Sequence, residues 1–190
     1  MPGPDAAAGP AATKGDDVAS PQCWPDAEEY PDHFETQVAA RCGMHALNNA
    51  LGEPLHTADD MTRACDIYLQ QSRAEGNPEI RTDHEGPRGW YSSEVLSTAV
   101  TSTTFWRRGR VEHIMHLGPL RENPDALRTS IGAVVNIRNE HWVALRWLRD
   151  AVWLLDSARS RPVRLAWPMY LAFLAEHPAA YRIEVAPRAE

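Results

Sequence analysis

Apolar positions recur at helical spacing in three stretches of the first half of the chain. The first stretch begins at Cys42 and ends before Gly52. The second follows Thr57, which has an acidic residue three positions later, as in a helix N-terminal cap. The third begins at Ser92 or Ser93. The pattern therefore predicts three helices, the first with one apolar face directed towards a core.

The second half of the chain changes to short, apolar, β-prone segments separated by turn signals. The predicted strands are 103–107, 111–117, 131–138, 141–148, 151–156 and 180–186. One further helix is expected to carry Pro168 in its first turn. Helices followed by a mostly antiparallel sheet predict an α+β fold.

Charge divides the chain into two regions. Residues 1–36 hold eight acidic residues against Lys14 alone, whereas the remaining 18 acids are balanced by 18 Lys and Arg. Residues 1–30 are also rich in Ala, Pro and Gly, which predicts a disordered acidic tail, with a partner-binding tail as the alternative. Residues 31–190 form the expected single folded domain. This neutral domain lacks the basic surface of a nucleic-acid binder.

Cysteine content indicates the compartment. The three cysteines Cys23, Cys42 and Cys65 form no disulfide framework, so we expect free thiols in a reducing environment. No apolar run approaches the length of a membrane span. The chain is thus expected to be an intracellular protein, cytoplasmic or nuclear, with no membrane partner and monomeric.

Four residues could perform nucleophilic catalysis. A helix N-terminus favours a thiolate, which makes Cys42 a candidate nucleophile. His141 is a candidate base, Asp156 could orient its ring, and the Gln37 amide could join the Cys42 backbone N–H in an oxyanion hole. Each residue could instead be structural. His45 is a rival base because it shares a helix face with Cys42.

A zinc site is the metal-based alternative. Cys42 with His45 and His113 with His116 could form its two halves. If 111–117 is a strand, however, residues three positions apart point to opposite faces of the sheet. We therefore expect no metal and no cofactor.

The turn between the strands at 141–148 and 151–156 makes a geometric prediction. A two-residue turn at Arg149–Asp150 places Leu148 opposite Ala151, and the same register brings His141 and Asp156 to one sheet face as diagonal neighbours. A three-residue turn would place Asp156 on the opposite face. We predict the two-residue turn and a His141–Asp156 hydrogen bond.

Four blocks of sequence resemble the Josephin family of deubiquitinating cysteine proteases. They are Gln37…Cys42-Gly43-Met44-His45-Ala46-Leu47-Asn48-Asn49, Gly89-Trp90-Tyr91-Ser92-Ser93-Glu94-Val95-Leu96, Val135-Asn136-Ile137-Arg138-Asn139-Glu140-His141-Trp142 and Trp153-Leu154-Leu155-Asp156-Ser157. Gly43-Met44 stands where the family usually has Ala-Gln.

The resemblance implies a papain-like fold that hydrolyses bonds at the C-terminus of ubiquitin or a ubiquitin-like modifier. It also implies Cys42 as nucleophile, His141 as base, Asp156 as orienting residue and Gln37 as oxyanion donor. The expected partners are ubiquitin or ubiquitinated proteins. Two alternatives remain: a catalytically weak ubiquitin-binding module, and a papain-like peptidase or transferase acting on another substrate.

Overall fold

The computed structural model describes residues 30–39, 41–86, 89–107 and 110–185. Nearly all of the predicted acidic tail lies outside this range. The helices are α1 (Cys42–Leu51), α2 (Ala58–Ala74), α3 (Ser93–Thr101) and α4 (Trp167–Glu176). Short 3-10 helices cover Arg81–Asp83 and Pro124–Arg128. The strands are β1 (Thr104–Arg107), β2 (Arg110–Pro119), β3 (Ala133–Ile137), β4 (His141–Leu148), β5 (Ala151–Leu155), β6 (Val163–Leu165) and β7 (Ala180–Val185).

The strands form one seven-stranded sheet in the order β1-β2-β7-β3-β4-β5-β6, and each recorded pairing within it is antiparallel. The two sheet faces carry separate apolar clusters. Trp142 and Ala144 of β4 join the cluster that includes α1, α2 and α3. Val143 and Leu145 join the cluster that includes α4. The alternation of side chains along a strand thus divides the core, and the predicted α+β fold is confirmed.

Helix α1 is buried on every side. All of its residues from Cys42 to Leu51 are buried, including the polar side chains of His45, Asn48 and Asn49. The apolar positions expected to face the core are buried, but the polar face is buried as well, which the pattern did not predict. A helix buried all round can keep polar side chains only if each finds a hydrogen-bond partner. The segment before the helix and the His56 backbone after it supply these partners here.

Two other elements differ from the sequence prediction. The short edge strand β6 was not predicted, because three residues are too few to show a periodic pattern. The long connection after α2 contains the 3-10 helix Arg81–Asp83 and an isolated bridge between Glu85 and Tyr91. Among the described residues, no helix combines the length and apolar character needed to span a membrane.

The β4–β5 hairpin has the predicted register. Leu148 pairs with Ala151, and the pairing continues to Ala144 opposite Leu155. Both turn residues have positive φ, 49° for Arg149 and 59° for Asp150. These values match a type I′ turn, whose twist suits a two-residue hairpin. The turn therefore brings the end of β5 alongside the start of β4.

A glycine at the second turn position should strengthen the hairpin. Asp150→Gly is expected to raise the free energy of unfolding by about 1 kcal/mol, because left-handed backbone costs any residue with a Cβ. Asp150→Ala is the matched control and should not stabilise the protein, since it removes the carboxylate but keeps the Cβ. Denaturant unfolding measures both variants. Equal stabilisation by the two changes would show that charge, and not turn geometry, limits the hairpin.

Candidate active site

Cys42 is the first residue of α1, and its side chain is buried at 4% exposure. The preceding residue, Arg41, makes no side-chain cap to the helix. The first N–H groups of a helix have no partner within the helix, so an uncapped N-terminus retains hydrogen-bond donors and a partial positive charge. These features suit a sulfur that becomes negatively charged.

The His141 ring joins Cys42 to Asp156. His141 is the first residue of β4, and its Nε2 lies 2.7 Å from Oδ1 of Asp156. The ring also hydrogen-bonds the Cys42 side chain. The hydrogen bond to Asp156, followed by that to Cys42, raises the pKa of His141 to about 9. The imidazole is therefore protonated at neutral pH, and the predicted His141–Asp156 contact is confirmed.

Asp156 follows directly after β5 and accepts hydrogen bonds from several groups. Burial opposes ionisation, but hydrogen bonds from His141 and from the backbone of Ala158 outweigh it and lower the pKa of Asp156. The Ala158 N–H lies 3.0 Å from Oδ1, and Arg159 Nε lies 3.1 Å from Oδ2. The carboxylate is thus ionised and fixed in orientation.

Gln37 is held against the residue that follows Asp156. The Gln37 backbone N–H donates to the carbonyl of Ser157 at 2.7 Å, and Ser157 Oγ donates to Gln37 Oε1 at 3.2 Å. The side-chain carbonyl oxygen therefore accepts a hydrogen bond, and the NH₂ group, which lies in the same plane across the Cγ–Cδ bond, can act as a donor.

His45 has a structural role. Its Nδ1 lies 2.7 Å from Glu35 Oε2, and its Nε2 accepts the Val38 backbone N–H at 3.3 Å. Both ring nitrogens are engaged on the side of the helix that faces the preceding segment. This arrangement removes His45 as the rival base.

The two asparagines of α1 complete this polar cluster. The Asn49 amide accepts from the Glu35 backbone N–H at 2.6 Å and donates to the Glu35 carbonyl at 3.0 Å. Asn48 Nδ2 donates to both carboxylate oxygens of Glu35 at 3.2 Å. The segment that carries Gln37 is thus tied to α1 on one side and to Ser157 on the other.

A cleft of about 850 Å³ adjoins the start of α1. It is lined by Arg41, α2 residues and the loop that includes Glu85, Gly86 and Gly89. Gly89 is at φ 80°, and a Cβ there would lie 2.7 Å from the Arg41 side chain, so only glycine fits without displacing Arg41. A larger groove of about 1290 Å³ lies along β6, but its described lining contains no Cys or His.

The other metal and thiol candidates do not join this site. His116 Nε2 lies 3.3 Å from Glu184 of the neighbouring strand. Across the described part of the chain, no three His, Cys, Asp or Glu side chains group as metal ligands. Cys65 is fully buried in α2, and burial raises the pKa of its thiol.

Comparison with known proteins agrees with this architecture. The Josephin family model matches residues 37–181, which contain all four candidate residues. The chain belongs to the Josephin family. Members of this family are generally deubiquitinating cysteine proteases.

Two curated relatives are similar to this Josephin protein. The "Ataxin-3 homolog" of Caenorhabditis elegans is 29% identical over 140 residues, which is 70% of this chain and 41% of the relative. The "Ataxin-3 homolog" of Caenorhabditis briggsae is 28% identical over 136 residues, which is 68% of this chain and 40% of the relative. The match thus spans about two fifths of the relatives' length.

Several polar residues of this site were not predicted from the sequence. Glu35, Asn48 and Asn49 attach the Gln37 segment to α1, and Ser157 contacts Gln37 itself. The sequence did contain one indication of this cluster, because two adjacent asparagines within an apolar helix require buried hydrogen-bond partners. Ser157 gave no such signal, because its position beside Gln37 arises only on folding.

The raised pKa of His141 makes folding stability depend on pH. The folded state binds this proton more tightly than the unfolded chain between the ordinary value of 6.5 and about 9. The resulting stabilisation is present below pH 6.5 and is lost as the pH rises through about 9. We expect the wild-type Tm to fall more steeply over this range than that of His141→Gln. Exposed His113→Gln is the control and should keep the wild-type slope, whereas equal slopes for wild type and His141→Gln would contradict the raised pKa.

Proposed function

We propose that this Josephin protein is a cysteine-type deubiquitinase that hydrolyses isopeptide or peptide bonds at the C-terminus of ubiquitin or a ubiquitin-like modifier. The observation that carries the proposal is the hydrogen-bonded series Cys42–His141–Asp156 at an uncapped helix N-terminus. A non-catalytic binding module has no need of a protonated imidazole beside a thiol. Membership of the Josephin family supports ubiquitin as the substrate class.

The first half of the proposed reaction is acyl transfer to sulfur. Cys42 Sγ, as a thiolate, attacks the carbonyl carbon of the scissile bond, and the electrons of the C=O bond move to oxygen. The Cys42 backbone N–H and the Gln37 NH₂ group would stabilise this oxyanion. When the tetrahedral intermediate collapses, the C–N bond breaks and imidazolium His141 donates its proton to the leaving amine. The product is a thioester between Cys42 and the modifier.

The second half hydrolyses the thioester. His141, now neutral, removes a proton from a water molecule, whose oxygen attacks the thioester carbonyl. The C–S bond breaks, the thiolate is restored, and the modifier leaves with a free carboxylate. Asp156 holds the ring and stabilises its positive charge in both halves.

The substrate would reach Cys42 through the cleft at the start of α1. Its rim includes Gly86 and Gly89, and the Arg41 side chain packs against the backbone of Gly89. Such a rim suits the small glycines at the end of ubiquitin. We propose ubiquitin or ubiquitinated proteins as partners, an intracellular location in cytoplasm or nucleus, and a monomer as the active form.

Covalent labelling tests the nucleophile. A ubiquitin probe with a C-terminal electrophile should form one adduct, mapped to Cys42 by mass spectrometry, because Cys42 is the one of the two described thiols with an imidazole partner. Cys42→Ala should abolish labelling. Cys65→Ala is the matched control and should label like wild type. An adduct at Cys65, or labelling that survives Cys42→Ala, would refute the assignment, and no adduct with the wild type would refute the proposed substrate class.

Two substitutions can separate the hydrogen bond that Asp156 makes to His141 from the effect of its negative charge. Asp156→Asn keeps an oxygen that accepts the His141 ring N–H, whereas Asp156→Ala leaves the ring unsupported. We expect Asp156→Ala to lower kcat/KM for a fluorogenic ubiquitin substrate by roughly a hundredfold, and Asp156→Asn to lower it less. Ser160→Ala is the control, because Ser160 is exposed and lies outside the hydrogen bonds of Asp156. Equal losses in the two Asp156 variants would argue against a simple orienting role.

A further inference from the structure

Ser157 contacts Gln37 at two points. Its backbone carbonyl accepts the Gln37 N–H at 2.7 Å, and its hydroxyl lies 3.2 Å from Gln37 Oε1. Ser157 itself is buried at 2% exposure. Both the backbone and the side chain of Gln37 are thus fixed to a single immobile residue.

The surroundings of Gln37 provide little other restraint on its side chain. The next residue, Val38, is 75% exposed, and Ala39 has left-handed backbone with φ 60°. Hydrogen bonds between Glu35 and Asn49 fix the backbone two residues before Gln37. Within the described residues, neither of these two bonds involves the Gln37 side chain. A glutamine side chain has three rotatable bonds, and their free rotation opposes any fixed donor position.

We propose that Ser157 is a positioning residue that pre-organises the Gln37 amide as an oxyanion donor. The inference rests on the proposed function, since it assumes that an oxyanion forms on the substrate. An oxyanion donor is effective only if it is in place before charge develops. The Ser157 hydroxyl holds Gln37 Oε1 and so turns the NH₂ group away from itself. Ser157 acts through Gln37 and touches neither the sulfur nor the substrate.

Kinetics of single and double variants test this role. Ser157→Ala should lower kcat about tenfold on a fluorogenic ubiquitin substrate with little change in KM, as expected for one lost hydrogen bond. Gln37→Ala should lower kcat by about 10²–10³-fold. The double variant should be no slower than Gln37→Ala alone, because Ser157 has nothing left to position. Exposed Ser160→Ala is the matched control and should retain wild-type kinetics.

A second measurement separates positioning from general damage. Iodoacetamide alkylates a thiolate without forming an oxyanion, so its reaction with Cys42 depends on the thiol and imidazole alone. Ser157→Ala should alkylate at the wild-type rate and keep the wild-type Tm within a few degrees. A parallel loss of alkylation and hydrolysis would show a structural role and overturn the proposal.

NMR tests the contact without any substrate. The Gln37 side-chain amide signals, assigned by their loss in Gln37→Ala, should shift in Ser157→Ala and not in Ser160→Ala. An unchanged signal, or further loss of kcat in the double variant, would overturn the inference. If the wild type fails to cleave ubiquitin substrates, the proposed function fails. The amide signals then decide separately whether Ser157 holds Gln37.

Discussion

The burial of α1 on all sides is the constraint on which the rest of the site depends. A reactive thiol at a helix start must lie where water is limited but hydrogen-bond donors remain, and the core of the protein provides this place for Cys42. Burial has a cost, because His45, Asn48 and Asn49 are taken from water with it. The Glu35 segment offsets this cost by supplying their partners, and it thereby also brings Gln37 to the same end of the helix.

The contact between His141 and Asp156 has a different structural origin. His141 begins β4 and Asp156 directly follows the adjacent antiparallel strand β5, so their separation is set by a two-residue turn and by the register of the sheet. Hydrogen bonding then links this pair to the thiol, since β4 packs against α1 through Trp142 and Ala144. Helix α1 determines the position of the Cys42 sulfur, and the β4–β5 hairpin determines the position of the His141 ring.

This difference explains which features could be predicted from sequence. Only two residues separate the apolar segments, which predicts a two-residue turn, and the register then follows by counting, so the contact between His141 and Asp156 could be foreseen. The burial of α1 could not, because periodicity shows that Met44 and Leu47 face a core but not that a second surface covers the polar side. Strand β6 lacked enough residues for a pattern, and Gln37 meets Ser157 only through long-range folding.

Asp156 and Ser157 are consecutive, and this adjacency couples the two halves of the site. Asp156 contacts the imidazole, while Ser157 contacts the glutamine amide through its hydroxyl and the glutamine backbone through its carbonyl. Any displacement of the end of β5 would therefore affect the contacts of both His141 and Gln37, the proposed base and oxyanion donor. One dipeptide thus links the imidazole and the glutamine, which come from distant parts of the chain. Its geometry then depends on the stability of the β4–β5 hairpin more than on the loops that line the cleft.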